Sequence, residues 1–349
     1  MNIIPSEKPS FFQTPWFNTF GRFLALLGVF LFFALMVEGG RFYSLRNLEN
    51  ILRQSAVYAT VGLGMTLVII TGGIDLSVGS IIALAVTMVA WTLNLPVPGE
   101  EGAFLIHQMP VLLPILAVLA AIGVSAIAGF CNGALIVGLK LVPFIVTLGM
   151  MGIVRGVAKG IARERDIYPE ADTWITSIMD PVLTSGSRRW MVFPIGVWFL
   201  IAGILLTGFL LRYTRMGRHI YAIGSNEETA RLCGVPVGRT KIMVYALTGA
   251  FCGVAGLMQF SYLGGIGQPT TGIMYELFVI AAVIIGGASL RGGEGTVVGT
   301  MIGALIITIL YMGGQQMGWP KWVQEMVIGG IIIIAVALDQ YRHRRAASA

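Results

Sequence analysis

Charge is what this chain has least of. Only 11% of its 349 residues are Asp, Glu, Lys or Arg, 56% are hydrophobic and the mean hydropathy is +0.82. A soluble globular protein carries about 25% charged residues. The balance excludes a soluble domain and leaves no stretch for a separate one. Cysteine is scarce as well: Cys131, Cys233 and Cys252 stand far apart without metal-ligand spacing and read as small apolar residues. His107, His219 and His343 are scattered. No Gly-x-x-x-x-Gly-Lys-[Ser/Thr] phosphate loop and no Gly-x-Ser-x-Gly elbow occurs. No ladder of Asp, Glu and His crosses the apolar runs, which argues against an ion-coupled carrier. No catalytic group, metal site or bound cofactor is therefore expected.

What is there is a series of apolar runs near the ~20 residues that span a bilayer. They fall at 21–37, 52–71, 76–95, 111–139, 143–161, 190–211, 242–262, 274–288, 295–312 and 322–338. The expected fold is all-α: a polytopic membrane helix bundle of about ten transmembrane helices, forming one domain over 1–349. Gly129, Asn132 and Gly133 interrupt the fourth run, so a bend or break is expected there. Eight or nine spans follow if the second or fourth run is re-entrant. A short surface helix is expected at 172–179. The first run lacks a basic lead, so it is read as a retained span.

The formal net charge of +6 does not imply nucleic acid. The basic residues concentrate at 212–241 and in the tail 339–349, around Arg342, His343, Arg344 and Arg345. That is the distribution of cytoplasmic loops. Ten spans put the segment 1–20, the 212–241 loop and the tail all inside. The loop at 96–110, with Glu100 and Glu101 but no Lys or Arg, falls outside.

The 212–241 island punctuates a short helix. Ser225 is placed to accept from a backbone N–H three residues on, and Glu228 to reach back, as in a capping box. Glu227 and Glu228 face the positive end of the dipole. Gly234 suits the left-handed helix end, and Pro236 stops continuation. About eight residues make it roughly 12 Å long. It is expected outside the membrane, gripped by another protein.

Two glycine-rich turns stand out. In Gly72-Gly73-Ile74-Asp75-Leu76-Ser77 the glycines reverse the chain, and Asp75 or Ser77 caps the next helix at the membrane edge. The second begins at Gly286 and Gly287 and runs to Gly295. The stretches 68–76 and 283–290 echo one another, each an apolar run ending in a glycine pair and a tight polar turn. A duplicated origin and independent turn chemistry both explain the echo. Both turns are read as structural.

The stretch 62–80, which ends Gly72-Gly73-Ile74-Asp75-Leu76-Ser77-Val78-Gly79-Ser80, resembles the signature of the ribose/xylose/galactoside-type monosaccharide permeases of bacterial ATP-binding-cassette importers. The match continues through Asn132-Gly133-Ala134-Leu135-Ile136, Pro143-Phe144-Ile145-Val146-Thr147-Leu148-Gly149, Gly217-Arg218-His219-Ile220-Tyr221-Ala222-Ile223-Gly224 and 286–303. The blocks occur in order over about 48–338. One departure is Phe278 after Tyr275-Glu276-Leu277, where the family often has Asp. The 162–189 loop also matches weakly.

The resemblance implies a non-enzymatic permease subunit in the bacterial inner membrane. It implies a homodimer or a pair with a sister permease, cytoplasmic ATPase subunits that hold ATP and magnesium, and a periplasmic sugar-binding protein. It makes the short helix the coupling helix: Glu228-Thr229-Ala230-Arg231-Leu232-Cys233-Gly234 is similar to the Glu-Ala-Ala-x-x-x-Gly pattern of importer permeases, with Thr229 for the first Ala. The expected ATPase-coupling residues are Ser225, Glu227, Glu228, Ala230, Arg231 and Gly234. Phe144, Thr147 and Gln259 are expected in the pathway of a neutral monosaccharide or polyol. The rivals are a permease for branched-chain amino acids or nucleosides, a secondary carrier and a membrane scaffold.

Overall fold

The structure, a computed structural model, describes residues 15–100, 102–184 and 189–348. Residues 1–14 of the expected N-terminal segment, and the side chains of Arg342, His343, Arg344 and Arg345, lie outside the described residues. Among the described residues the fold is all-helical. The α-helices are α1 Pro15–Met36, α2 Leu45–Ile70, α3 Val78–Leu93, α4 Leu105–Gln108, α5 Leu112–Gly138, α6 Pro143–Ile161, α7 Ile195–Tyr213, α8 Arg215–Ser225, α9 Glu227–Leu232, α10 Val237–Tyr262, α11 Tyr275–Ile285, α12 Val297–Gln316 and α13 Lys321–Ser348. Six of these, α2, α5, α6, α7, α10 and α12, are long and apolar enough to cross a membrane. Phe20–Met36 within α1, and α3 and α11, are shorter apolar helices.

Local chemistry sets the ends. Ser44 Oγ accepts from Asn47 N at 3.3 Å, so α2 starts ahead of the apolar run at 52. Gly72, with φ +77°, ends it. Pro143 opens α6, where its missing N–H costs nothing. Thr296 Oγ1 accepts from Gly299 N at 3.1 Å to cap α12. The tenth run continues as helix α13 through the basic tail, beyond 338.

The centre of the bundle is α2, buried over 94% of its most apolar window and packed by α7, α10, α11 and α12. The most extensive pair is α5 with α10. Here the expected break at Gly129, Asn132 and Gly133 is corrected: α5 runs unbroken to Gly138. Its glycines admit the partner backbone instead. A Cβ on Gly133 would stand 2.7 Å from Ile242 Cα, and one on Gly253 2.7 Å from Ile122 Cα. Such small residues at four-residue spacing let helices approach closely in lipid.

The short helix expected at 172–179 is not formed. Residues 174–179 make turns, held to α10 by Met179 N donating to Ser261 Oγ at 2.8 Å and Ser261 Oγ donating to Thr176 O at 2.7 Å. Further along this loop, the buried carboxylate of Glu49 accepts from Val182 N, Leu183 N and Thr184 Oγ1. Backbone donors thus satisfy a carboxylate that would be costly to bury alone.

Candidate functional site

The polar island folds as a helical elbow on one end of the bundle. α8 is a separate amphipathic helix. Its cap is Thr214, whose Oγ1 accepts from Gly217 N at 3.2 Å. Ile220 and Ile223 are buried, and Ile223 packs with Ala230 and Val237 in a small core of its own. α9 follows after one residue. Its cap is Asn226, whose Oδ1 accepts from Thr229 N at 2.8 Å, so the expected capping role of Ser225 is corrected. Ser225 instead closes α8, and α9 is six residues long rather than about eight. Gly234 has φ +82°, the left-handed end its sequence anticipated.

Glu227 ties the elbow together, accepting from Arg231 at 3.1 Å and from Lys241, on α10, at 2.6 Å. Glu228, Thr229, Arg231 and Leu232 face outward, and Leu232 is 88% exposed. Ala230 faces inward. α9 therefore presents an apolar tip among charges while its inner face is anchored.

The elbow is bolted to both glycine turns. Tyr221 Oη donates to Gly295 O at 2.8 Å, and burial pushes its phenol above the usual tyrosine value. Gly224 packs against Ile70 O and the Gly293 backbone, where no Cβ would fit. Gly293 N donates to Ile70 O at 2.9 Å. Gly72, Gly287, Gly292 and Gly293 all have positive φ, which lets the three backbones meet. Gly286 packs on Gly299 of α12, and the Arg22 guanidinium of α1 lies over Gly287. The two glycine turns thus form one junction beneath α8.

From that junction the chain passes inward to Asp75, which has no exposed surface. Its carboxylate accepts from Ser77 N at 2.9 Å and Ser77 Oγ at 2.6 Å. Asn132 Nδ2, on α5, donates to Ser77 Oγ at 2.8 Å and lies 3.4 Å from both carboxylate oxygens. Ser77 precedes α3 without a side-chain cap bond, so neither Ser77 nor Asp75 caps the helix as expected; Asp75 instead fixes Ser77 itself. Asn132 completes a polar lock that spacing alone did not indicate.

The expected pathway residues are not gathered in one place. Phe144 is 49% exposed on the outer side of α6. Thr147 is buried, donates to Pro143 O at 2.9 Å and faces Ile74 O at 3.4 Å. Gln259 sits near the far end of α10 and lines a cavity of about 360 Å³ with residues of α11, α12 and α13. Neither Phe144 nor Thr147 lines that cavity. Gln324, which lines the same cavity, was missed because one glutamine in a C-terminal apolar run carries no local signal.

A family profile described as branched-chain amino acid transport system / permease component matches residues 47–336. The ribose import permease protein RbsC of Escherichia coli is 38% identical over 298 residues, 85% of this chain and 87% of its own length. The fructose import permease protein FrcC of Rhizobium meliloti is 38% identical, over 89% of this chain and 82% of its own. The galactose/methyl galactoside import permease protein MglC of Salmonella typhimurium is 35% identical, over 97% of this chain and 98% of its own. No solved structure matches.

Proposed function

We propose that this chain, which belongs to the branched-chain amino acid transport system / permease component family, is the membrane-spanning subunit of an ATP-driven importer for a monosaccharide. The observation that carries the reading is near-full-length similarity to import permeases named for ribose, fructose and galactose. The chain is a multi-pass membrane protein and a transport component rather than an enzyme. Ten crossings are assigned to α1, α2, α3, α5, α6, α7, α10, α11, α12 and α13, within a single permease domain. Both termini and the α8–α9 elbow then lie in the cytoplasm.

In this reading α9 is the coupling helix. Leu232 and the outward Glu228, Thr229 and Arg231 meet the partner ATPase, which holds ATP and magnesium. Gly234 and Asn226 set the ends of α9, and Glu227 locks it to α10. Movement of α9 passes through α8 to the 70–77 and 286–295 turns, and so to α3 and α12. A second permease copy or a sister chain completes the pathway. Gln259 lies on its outer part, and Phe144 and Thr147 extend it along α6. A periplasmic binding protein delivers the sugar to the end opposite α9.

The test is ATP-dependent uptake into liposomes holding the chain, its ATPase and its binding protein, with labelled D-ribose, D-galactose, D-fructose and leucine. Import of one sugar and not of leucine is the expected result. Import of leucine alone would overturn the sugar assignment while keeping the permease.

A further inference from the structure

Resting on the permease reading above, we infer that one subunit carries a built subsite for a single neutral sugar ring, held by Gln259 and Gln324 between α10 and α13. Two buried acceptors carry the inference. Gln259 is 3% and Gln324 7% exposed, and the Oε1 of each has no hydrogen-bond partner among the described residues. Gln324 is oriented by its own Nε2, which donates to Trp319 O at 2.8 Å. A buried carbonyl oxygen left unpaired is unfavourable. Both glutamines line the same cavity. Together they demand a ligand that brings hydroxyl donors.

The rest of the lining narrows the class. Tyr275, Phe278 and Tyr311 supply an aromatic wall, with Phe278 and Tyr311 centroids 5.7 Å apart and Tyr58 edge-on behind Tyr275 at 4.9 Å. Such a wall suits the C–H face of a sugar ring. The volume of about 360 Å³ lies at the small end of the ~300–1,000 Å³ range of small-ligand sites. Lys321 and Glu325, one helical turn apart on α13, are the charges of the lining and sum to zero. A ligand without net charge matches that balance.

Position and strain agree. α10 begins beside Lys241, which binds the α9 elbow, and Gln259 is near its other end. The cavity therefore lies toward the end from which a delivered substrate arrives. Met274, on its wall, holds φ +71° with a side chain for which that region is costly. Non-glycine residues kept in this region cluster at ligand sites.

Two measurements on the full complex in right-side-out vesicles test the subsite. Gln259→Leu and Gln324→Leu are each expected to lower kcat/KM for the imported sugar tenfold or more, because each removes one buried polar contact. Assembly with the ATPase is checked by co-purification. Independently, Ile273→Cys, at the exposed rim, is labelled with a membrane-impermeant thiol reagent in the presence of D-ribose, D-galactose or D-fructose. The imported sugar is expected to slow labelling at least threefold. If the sugar that the wild-type complex imports leaves labelling unchanged, or if both glutamine variants keep the wild-type kcat/KM, the subsite is wrong and the importer reading stands. If the wild-type complex imports no sugar and none slows labelling of the Ile273→Cys variant, both readings fall.

Discussion

The glycines of the α5–α10 pair are filled, and those along α6 are not. Gly129 on α5 meets Gly249 on α10, while Gly133 faces Ile242 and Gly253 faces Ile122, and at each the opposing backbone leaves no room for a Cβ. Gly149, Gly152, Gly156 and Gly160 share one side of α6, are exposed, and would meet nothing within 4 Å if each gained a Cβ. Glycine weakens a helix interior by roughly 0.5–1 kcal/mol relative to alanine. Along α5 and α10 close packing returns that cost. Along α6 nothing within the chain does. The contrast teaches that a glycine repeat states permission for close approach, and that a partner surface decides whether it is used.

The strongest challenge to the filled seam is Gly253→Leu. Its side chain would enter the Ile122 backbone, and an overpacked core costs about 1–3 kcal/mol or more. Because the obstacle is backbone, we expect loss of monodisperse protein on size exclusion in detergent. A normal elution profile and melting temperature would refute the seam.

Asp75→Ala attacks the polar lock that Asn132 of α5 completes. Ser77 would lose its carboxylate acceptor, and a destabilisation of about 1–3 kcal/mol is expected in detergent melts. Asp75→Asn keeps an acceptor and should recover part of it. If Ala and Asn behave alike, the lock is not made by that carboxylate oxygen.

Gly234→Val separates conformation from packing. The position has open space but φ +82°, which costs a side chain roughly 1–2 kcal/mol. ATP-driven uptake should fall severalfold with little change in the melt of the bundle. Wild-type uptake would remove α9 from the coupling path.

The smallest effect is expected on α6. Gly152→Ala and Gly156→Ala should each leave the isolated subunit unchanged or raise its stability by up to ~1 kcal/mol. Destabilisation seen only in the assembled permease pair would show that a second chain fills the face.

The comparison also marks how far the sequence could be read. Helix type and the ends at Gly72, Pro143 and Gly234 were legible because each rests on local backbone preference. Gly129 and Gly133 were misread as a break, since the backbone of α10 that they admit lies over a hundred residues away. Asp75 was read as part of a capped turn, and that this turn packs onto Asn132 of α5 had no local signal. Ser225 and Asn226 are equally good caps by composition, and only the path of α8 assigns the cap to Asn226. Gln259 was singled out, but its cavity partner Gln324 was not.

Sequence by itself determined an all-helical membrane protein with one charged elbow, because hydropathy, caps and glycine turns act over a few residues. Tertiary structure alone decided which glycines are filled, that both glycine turns meet beneath α8, and that two glutamines face one cavity. Those facts depend on contacts between distant segments, and in an apolar bundle it is shape complementarity that selects such contacts.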